Sequence, residues 1–211
     1  TVAGSAAGLL ATGAVALDAT VVRRAKVVRV VMPDEHHEVA LIDAVAVADA
    51  DRPLSIGHEQ TCSQPSTVAA MLRLLQVPRG ATVLDVGAGS GWTTALLAQL
   101  VGPDGEVLGV ERVPEIAAWG AVNLARQEMP WAQIVRASSG TLGSPRDGGW
   151  QRILVSASPD ELPAELVDQL APGSRMVIPV RHAMLLVERS DDGAVRTSEH
   201  GTYSFVPLVQ D

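Results

Sequence analysis

Cysteine is nearly absent: Cys62 is the only one in 211 residues. An internal disulfide is therefore excluded, and so is a cysteine-based zinc cluster. Aromatic residues make up 3% of the chain, with four Trp, one Tyr and one Phe. That leaves too few rings for a base-stacking surface, and the core has to be built from Ala, Val, Leu and Ile. Basic residues are outnumbered by acidic ones, 16 to 24, for a formal net charge of −8. Nucleic-acid binding by general electrostatics needs clustered Lys and Arg, so no nucleic-acid partner is expected. A long apolar run is also missing. Thr1 to Leu17 is uncharged but rich in small residues, lacks a basic leading segment and is followed by Asp18. Neither a secretory signal nor a membrane span is expected, and the expected location is cytoplasmic.

What is present is 47% hydrophobic residues in a chain of one-domain length, enough to bury a sizeable core. Two regions differ in character. Residues 1–53 are Ala/Val-rich with scattered charges, and read as a helical N-terminal subregion packed on the rest. Leu9 to Val31 suggests one or two helices, broken at Gly13 and ending before Pro33; Val39 to Val47 fits helix or strand equally. Residues 54–211 read as the main domain. Helices are expected over Gln64–Leu75, Trp92–Leu100, Pro114–Gln127 and Leu162–Leu170, the last closed by Pro172-Gly173. Strands are expected over Ala81–Val86, Glu106–Val110, Ile134–Ala137 and Arg152–Ser156, then Arg175–Val180, Ala183–Arg189 and Ala194–Ser198. Ser138 to Gly149 reads as loop. This alternation predicts an α/β fold of Rossmann-like type, with a mainly parallel sheet, helices on both faces and late antiparallel strands.

The chemistry concentrates in Asp85-Val86-Gly87-Ala88-Gly89-Ser90-Gly91-Trp92. A buried strand runs into alternate glycines and then a helix. Such a loop brings backbone close to a ligand, and the helix start adds free N–H groups. A dinucleotide fingerprint would place its third Gly at position 92, which is Trp; the third Gly is Gly91, and no P-loop Lys follows. Asp85 would repel a pyrophosphate but suits a nucleoside with a zwitterionic amino-acid tail. S-adenosyl-L-methionine fits that description, with S-adenosyl-L-homocysteine as its product. Glu111 ends the next strand, twenty residues after Gly91. A carboxylate there can accept from both ribose hydroxyls.

Beyond these residues, the chain from about Pro53 to Leu208 resembles the protein-L-isoaspartate O-methyltransferase family. Arg52-Pro53-Leu54-Ser55-Ile56-Gly57-His58-Glu59-Gln60-Thr61-Cys62-Ser63-Gln64-Pro65 is similar to the family's signature ahead of its first sheet strand. Val83 to Trp92 matches its cofactor loop, and Val110-Glu111-Arg112-Val113-Pro114 its ribose-binding strand end. Asp168 to Gly173, Ile178-Pro179-Val180 and Phe205-Val206-Pro207-Leu208 resemble its later segments. The resemblance implies methyl transfer from S-adenosylmethionine to an isoaspartyl or aspartyl carboxylate of a protein or peptide. It implies that Ser63 lies near the methyl and positions the acceptor, flanked on the substrate side by Thr61, Cys62, Val180 and Arg181. It implies that Ser139 and Gly140 lie near the adenine. The residues alone also allow Ser63 to be a helix N-cap.

Several positions depart from the family pattern. Cys62 replaces Ile, Trp92 replaces Tyr and Ser66 replaces a frequent His or Tyr. Ser139 replaces the Asp of a Gly-Asp-Gly unit, Gln151 an Asp, and Arg181 a Gly. The cofactor side is thus mostly kept and the substrate side altered. That leaves open methylation of a dedicated peptide, or a non-catalytic homologue that binds the cofactor or a partner. Two other candidates carry little. His36-His37-Glu38 has adjacent histidines that point apart, so no metal is expected. Cys62 has no assignable activating His and reads as a packed thiol. Trp92 stands where it could wall the cofactor pocket. The oligomeric state is not legible.

Overall fold

The computed structural model describes residues 51–209. The expectations for residues 1–50, including the N-terminal helices and His36-His37-Glu38, lie outside the described residues.

A small antiparallel hairpin of β1 (Leu54–Ser55) and β2 (Thr61–Cys62) leads into helix α1 (Pro65–Leu75). Pro65 opens α1 where a missing N–H costs nothing. A parallel series follows: β3 (Thr82–Val86), α2 (Trp92–Val101), β4 (Glu106–Glu111), α3 (Pro114–Ala125), β5 (Ala132–Arg136) and β6 (Trp150–Val155). The chain ends with α4 (Ala164–Asp168), β7 (Leu170–Val180), β8 (Ala183–Arg189) and β9 (Val195–Thr202). The seven-stranded sheet runs β5-β4-β3-β6-β7-β8-β9, with β3 to β7 parallel and the last two strands antiparallel. This is the expected Rossmann-like architecture.

Strand parity sorts the core. Val83 packs on the side of α1 and α2, with Leu72, Leu97 and Val107. Leu84 and Val86 point to the other face, with Val110, Ile153 and Leu166 of α4. A third cluster of Ala88, Ala95, Leu124 and Ile134 ties α2 to α3 and β5. The strands β4 and β5 lie on one side of β3, and β6 and β7 on the other. The direction of winding therefore reverses between β3 and β6, which opens a crevice beyond their C-terminal ends.

The largest departures from the expected boundaries lie in the last part of the chain. The late helix is only Ala164–Asp168, because Pro163 holds its N-cap position and Leu170 already pairs with Trp150 in the sheet. Pro172-Gly173 lies inside β7 and closes no helix; a register shift between Trp150 and Arg152 absorbs the irregularity. The last strand extends to Thr202. The β1–β2 hairpin was not expected, being too short for any periodicity to show. No helix among the described residues is long and apolar enough to cross a membrane.

Candidate active site

The crevice at the reversal point is a cavity of about 490 Å³, within the size range of small-molecule sites. Val86, Gly87 and Gly89 form its floor, Glu111 and Arg112 its β4 side, and Ser156 and Ala157 its β6 side. Ile56, Gln60 and Thr61 enter from the hairpin, and Val206, Pro207 and Leu208 from the closing segment. Ser138, Gly140, Thr141 and Leu142 of the loop after β5 complete it.

The glycine loop is braced from behind. Glu111 is 8% exposed. Its Oε2 accepts the Gly89 N–H at 3.0 Å, and its Oε1 accepts the Val113 N–H at 3.0 Å. Each oxygen keeps further acceptor capacity for a hydroxyl. Asn123 on α3 donates from Nδ2 to the Ser90 carbonyl at 3.0 Å. Gly91 sits at φ +86, and a Cβ there would lie 2.7 Å from the Gly120 carbonyl oxygen. Glycine is thus required where α3 crosses the loop. Sequence reasoning did not single out Asn123 or Gly120; nothing in their spacing tells that α3 lies behind the loop.

Asp85 is fully buried, as strand parity dictates: like Val83 it faces α2. Its Oδ2 accepts from Thr93 Oγ1 and Thr94 Oγ1, each at 2.7 Å, while Oδ1 is buried without a partner among the described residues. Burial pushes its carboxyl up to about 6 from the ordinary 3.8, against the pull of the two threonine hydroxyls. Asp85 therefore anchors the start of α2 beneath the loop and does not line the cavity. Ala88, Ser90 and Gly91 likewise shape the loop from within. Trp92 does not wall the cavity. It packs against the apolar clusters with Met129 and Ala132, because the first turn of α2 points that ring at α3 and β5.

The hairpin docks onto the loop. Ile56 is buried, and its Cδ1 would lie 3.3 Å from a Cβ on Gly89. Ser90 Oγ donates to Cys62 Sγ at 3.9 Å. Burial pushes the Cys62 thiol up to about 11, which leaves no thiolate for nucleophilic work at neutral pH. Ser63 is not the N-cap of α1. Gln64 holds that position, and Asp51 Oδ1 accepts the Ser66 N–H at 2.9 Å. Ser63 is half-buried two residues past Thr61; neither it nor Cys62 lines the cavity, and its hydroxyl makes no hydrogen bond to the described residues.

The wall after β5 is pinned by a residue that sequence reasoning missed as a site element. Gln169, 6% exposed, donates from Nε2 to the Leu142 carbonyl at 2.7 Å and to the Glu165 carbonyl at 2.9 Å. Its Oε1 accepts the Ser144 N–H at 2.9 Å. Trp150 adds a bond from Nε1 to the Ser144 carbonyl at 2.7 Å. Arg146 stacks over the Trp150 ring at 4.6 Å while pairing with Glu106. Within this wall Ser138, Gly140 and Thr141 line the cavity, whereas Ser139 is exposed and does not line it.

A profile of the protein-L-isoaspartate(D-aspartate) O-methyltransferase family matches residues 17–211. The chain belongs to this family. It is 42% identical over 192 residues to the protein-L-isoaspartate O-methyltransferase of Methanopyrus kandleri, covering 89% of this chain and 85% of that one. It is 45% identical over 173 residues to that of Anaeromyxobacter dehalogenans, covering 79% and 81%. Among solved structures, a Plasmodium falciparum protein-L-isoaspartate O-methyltransferase in complex with S-adenosyl-L-homocysteine aligns with a TM-score of 0.66 at 26% identity. It covers 83% of this chain and 84% of that one.

The departures from the family pattern fall in different places. Gln151 lies at the N-terminal end of β6, at the sheet edge opposite the cavity. There its Oε1 accepts the Thr82 N–H at 2.9 Å. Arg181 and Val180 lie at the β7–β8 turn and do not line the cavity. Arg181 is exposed, with its backbone at φ +54, the region where glycine alone is unstrained.

Proposed function

We propose that this chain transfers the methyl group of S-adenosylmethionine to an isoaspartyl or aspartyl carboxylate of a protein or peptide. The observation that carries the proposal is Glu111 at the end of β4, hydrogen-bonded to the Gly89 N–H and lining the reversal-point cavity beside Gly87 and Gly89. The donor set fits the cofactor: buried carboxylate oxygens for ribose hydroxyls, bare backbone for close approach, and polar backbone and side chains of Ser138 and Thr141 for a base. Glu111, Gly87, Gly89 and Gly140 would hold it, with Asp85, Ser90 and Gly91 fixing the loop's shape.

When bound, S-adenosylmethionine supplies a methyl group on a positively charged sulfur that leaves readily. The acceptor carboxylate is already ionised at neutral pH, so the chain needs no general base. The protein's task is alignment and the exclusion of water. Ser63 supports this role because its hydroxyl has no competing partner among the described residues and follows Thr61, which lines the cavity. It would donate to one carboxylate oxygen and leave the other to attack. Ile56, Val206 and Leu208 supply apolar walls that keep water from the line of transfer.

The test is methyl-ester formation on an isoaspartyl peptide and on its normal Asp counterpart. The expected result is turnover of the isoaspartyl peptide, with Ser63→Ala lowering kcat/KM about 10- to 100-fold, the loss of one hydrogen bond to a charged group. Cofactor binding without turnover of either peptide would refute the proposal.

A further inference from the structure

We propose that Arg181 is a specificity-determining residue that favours substrates with a carboxylate flanking the reacting residue; this rests on the methyl-transfer reading above. Arg181 and His182 form the two-residue turn between β7 and β8, where Val180 pairs with Ala183. The first residue of that turn stands at φ +54. Glycine is the ordinary choice in such a conformation, and every larger side chain is disfavoured there. Strain of this kind clusters where a side chain has work to do.

The side chain is aimed and anchored. Its Nε donates to the Asp160 carbonyl at 2.9 Å. The Arg181 N–H donates to the Pro159 carbonyl at 2.9 Å, and the Arg181 carbonyl accepts from Ser158 Oγ at 3.0 Å. Ser158 in turn pairs with the closing segment, giving its N–H to Val206 at 2.8 Å and accepting from Leu208 at 2.9 Å. Val206, Pro207 and Leu208 line the cavity on the same side as Ser156 and Ala157. Arg181 is therefore fixed to the outer side of the strip that forms the cavity rim.

The charge itself is uncommitted. Ion pairs join Arg146 to Glu106 and Arg175 to Glu188, and among the described residues none involves Arg181. The neighbouring Asp160 and Glu161 carboxylates make no ion pair with Arg181. One nitrogen is used as an anchor, and the two outer nitrogens make no hydrogen bond to the described residues, on an exposed side chain in a protein of net charge −8. A planar, fixed guanidinium with two open donors suits a carboxylate. A peptide lying across the rim, with its reacting carboxylate in the cavity, would present its flanking side chains there.

The experiment compares isoaspartyl peptides that differ only in the flanking residues: Glu, Ala or Lys. Wild-type enzyme is expected to show kcat/KM about three- to five-fold higher for the Glu-flanked than for the Ala-flanked peptide, carried by KM, with Lys lowest. Binding of the same peptides to enzyme saturated with S-adenosylhomocysteine should rank identically in calorimetry. Raised salt should compress the ranking. Arg181→Gly relieves the backbone strain, so it folds, and it should bring the Glu-to-Ala ratio to about one. Arg181→Glu should invert the ranking. A role limited to anchoring the turn would leave the ratio untouched in both variants, and that result overturns the proposal. Equal rates for the three peptides with wild-type enzyme overturn it too, while leaving the methyl-transfer reading standing. Turnover of none of them, together with the normal Asp peptide, defeats that reading and this proposal with it.

Discussion

The Glu111 carboxylate and the Gly89 backbone N–H meet at 3.0 Å, joining the end of β4 to the glycine loop after β3. One residue thereby shapes the loop and lines the cavity, with acceptor capacity left on each carboxylate oxygen. Glu111→Gln puts an amide N–H where an oxygen now accepts, opposing it to the N–H of Gly89 or of Val113. Affinity for S-adenosylhomocysteine, measured by calorimetry, is expected to fall at least about ten-fold, since hydrogen bonds to charged groups contribute about 1.5–3 kcal/mol. Unchanged affinity would remove Glu111 from the site.

Asp85 makes a pH-dependent contribution to stability. Its folded value of about 6 lies above the ordinary 3.8, so the folded state holds the proton longer than the unfolded chain. The stabilisation is fully present below the unfolded value and is lost as pH rises through about 6. The loss amounts to about 3 kcal/mol. Other acids titrate in the same range, so the difference between wild type and Asp85→Asn isolates this group. Denaturant unfolding at pH 4, 5, 6 and 7 should show wild type losing stability relative to the variant across that window. Parallel curves would contradict the assignment.

Gly91 has no room for a methyl group, and neither does Gly120, where a Cβ would run into the Gly89 carbonyl oxygen. Gly91→Ala combines that clash with a left-handed backbone, costing about 2–3 kcal/mol. Its melting temperature is expected to fall by about 5–10 °C. Retention of the wild-type melting temperature would mean that α3 can withdraw from the loop.

Gln169→Ala removes the two hydrogen bonds, to Leu142 and Ser144, that hold the wall over the cavity. The amide of Ser144 should exchange with solvent markedly faster in the variant, and the cofactor KM should rise about ten-fold. If the Ser144 amide stays protected, Trp150 alone holds the wall.

Much of the fold was legible because apolar runs end in strong punctuation. Pro78-Arg79-Gly80 precedes β3, and Gly102-Pro103-Asp104-Gly105 separates α2 from β4. The strand Ala183–Arg189 was read to its observed ends. The leucine spacing of Leu162, Leu166 and Leu170 looked helical through its whole length. Yet Leu166 serves α4 and Leu170 the sheet, and only pairing with Trp150 separates them. The glycine loop and Glu111 were legible because ligand approach needs those residue types in that order. Asp85 was assigned to the ligand, although its parity with Val83 already pointed it toward α2. The roles of Gln169, Asn123 and Ile56 depend on contacts between distant segments, for which one sequence offers no local signal. Trp92 was misplaced for the same reason: its position on α2 is local, but the direction of its ring is set by α3 and β5.

The closing segment makes the protein's handling in the laboratory a structural matter. Ser158, just beyond the end of β6, pairs with Val206 and Leu208, and Leu208 and Val209 form part of the cavity wall. A reporter group or label attached at Val209 would therefore stand at the cavity wall, so labels for kinetic measurements belong on a part of the chain that does not line it.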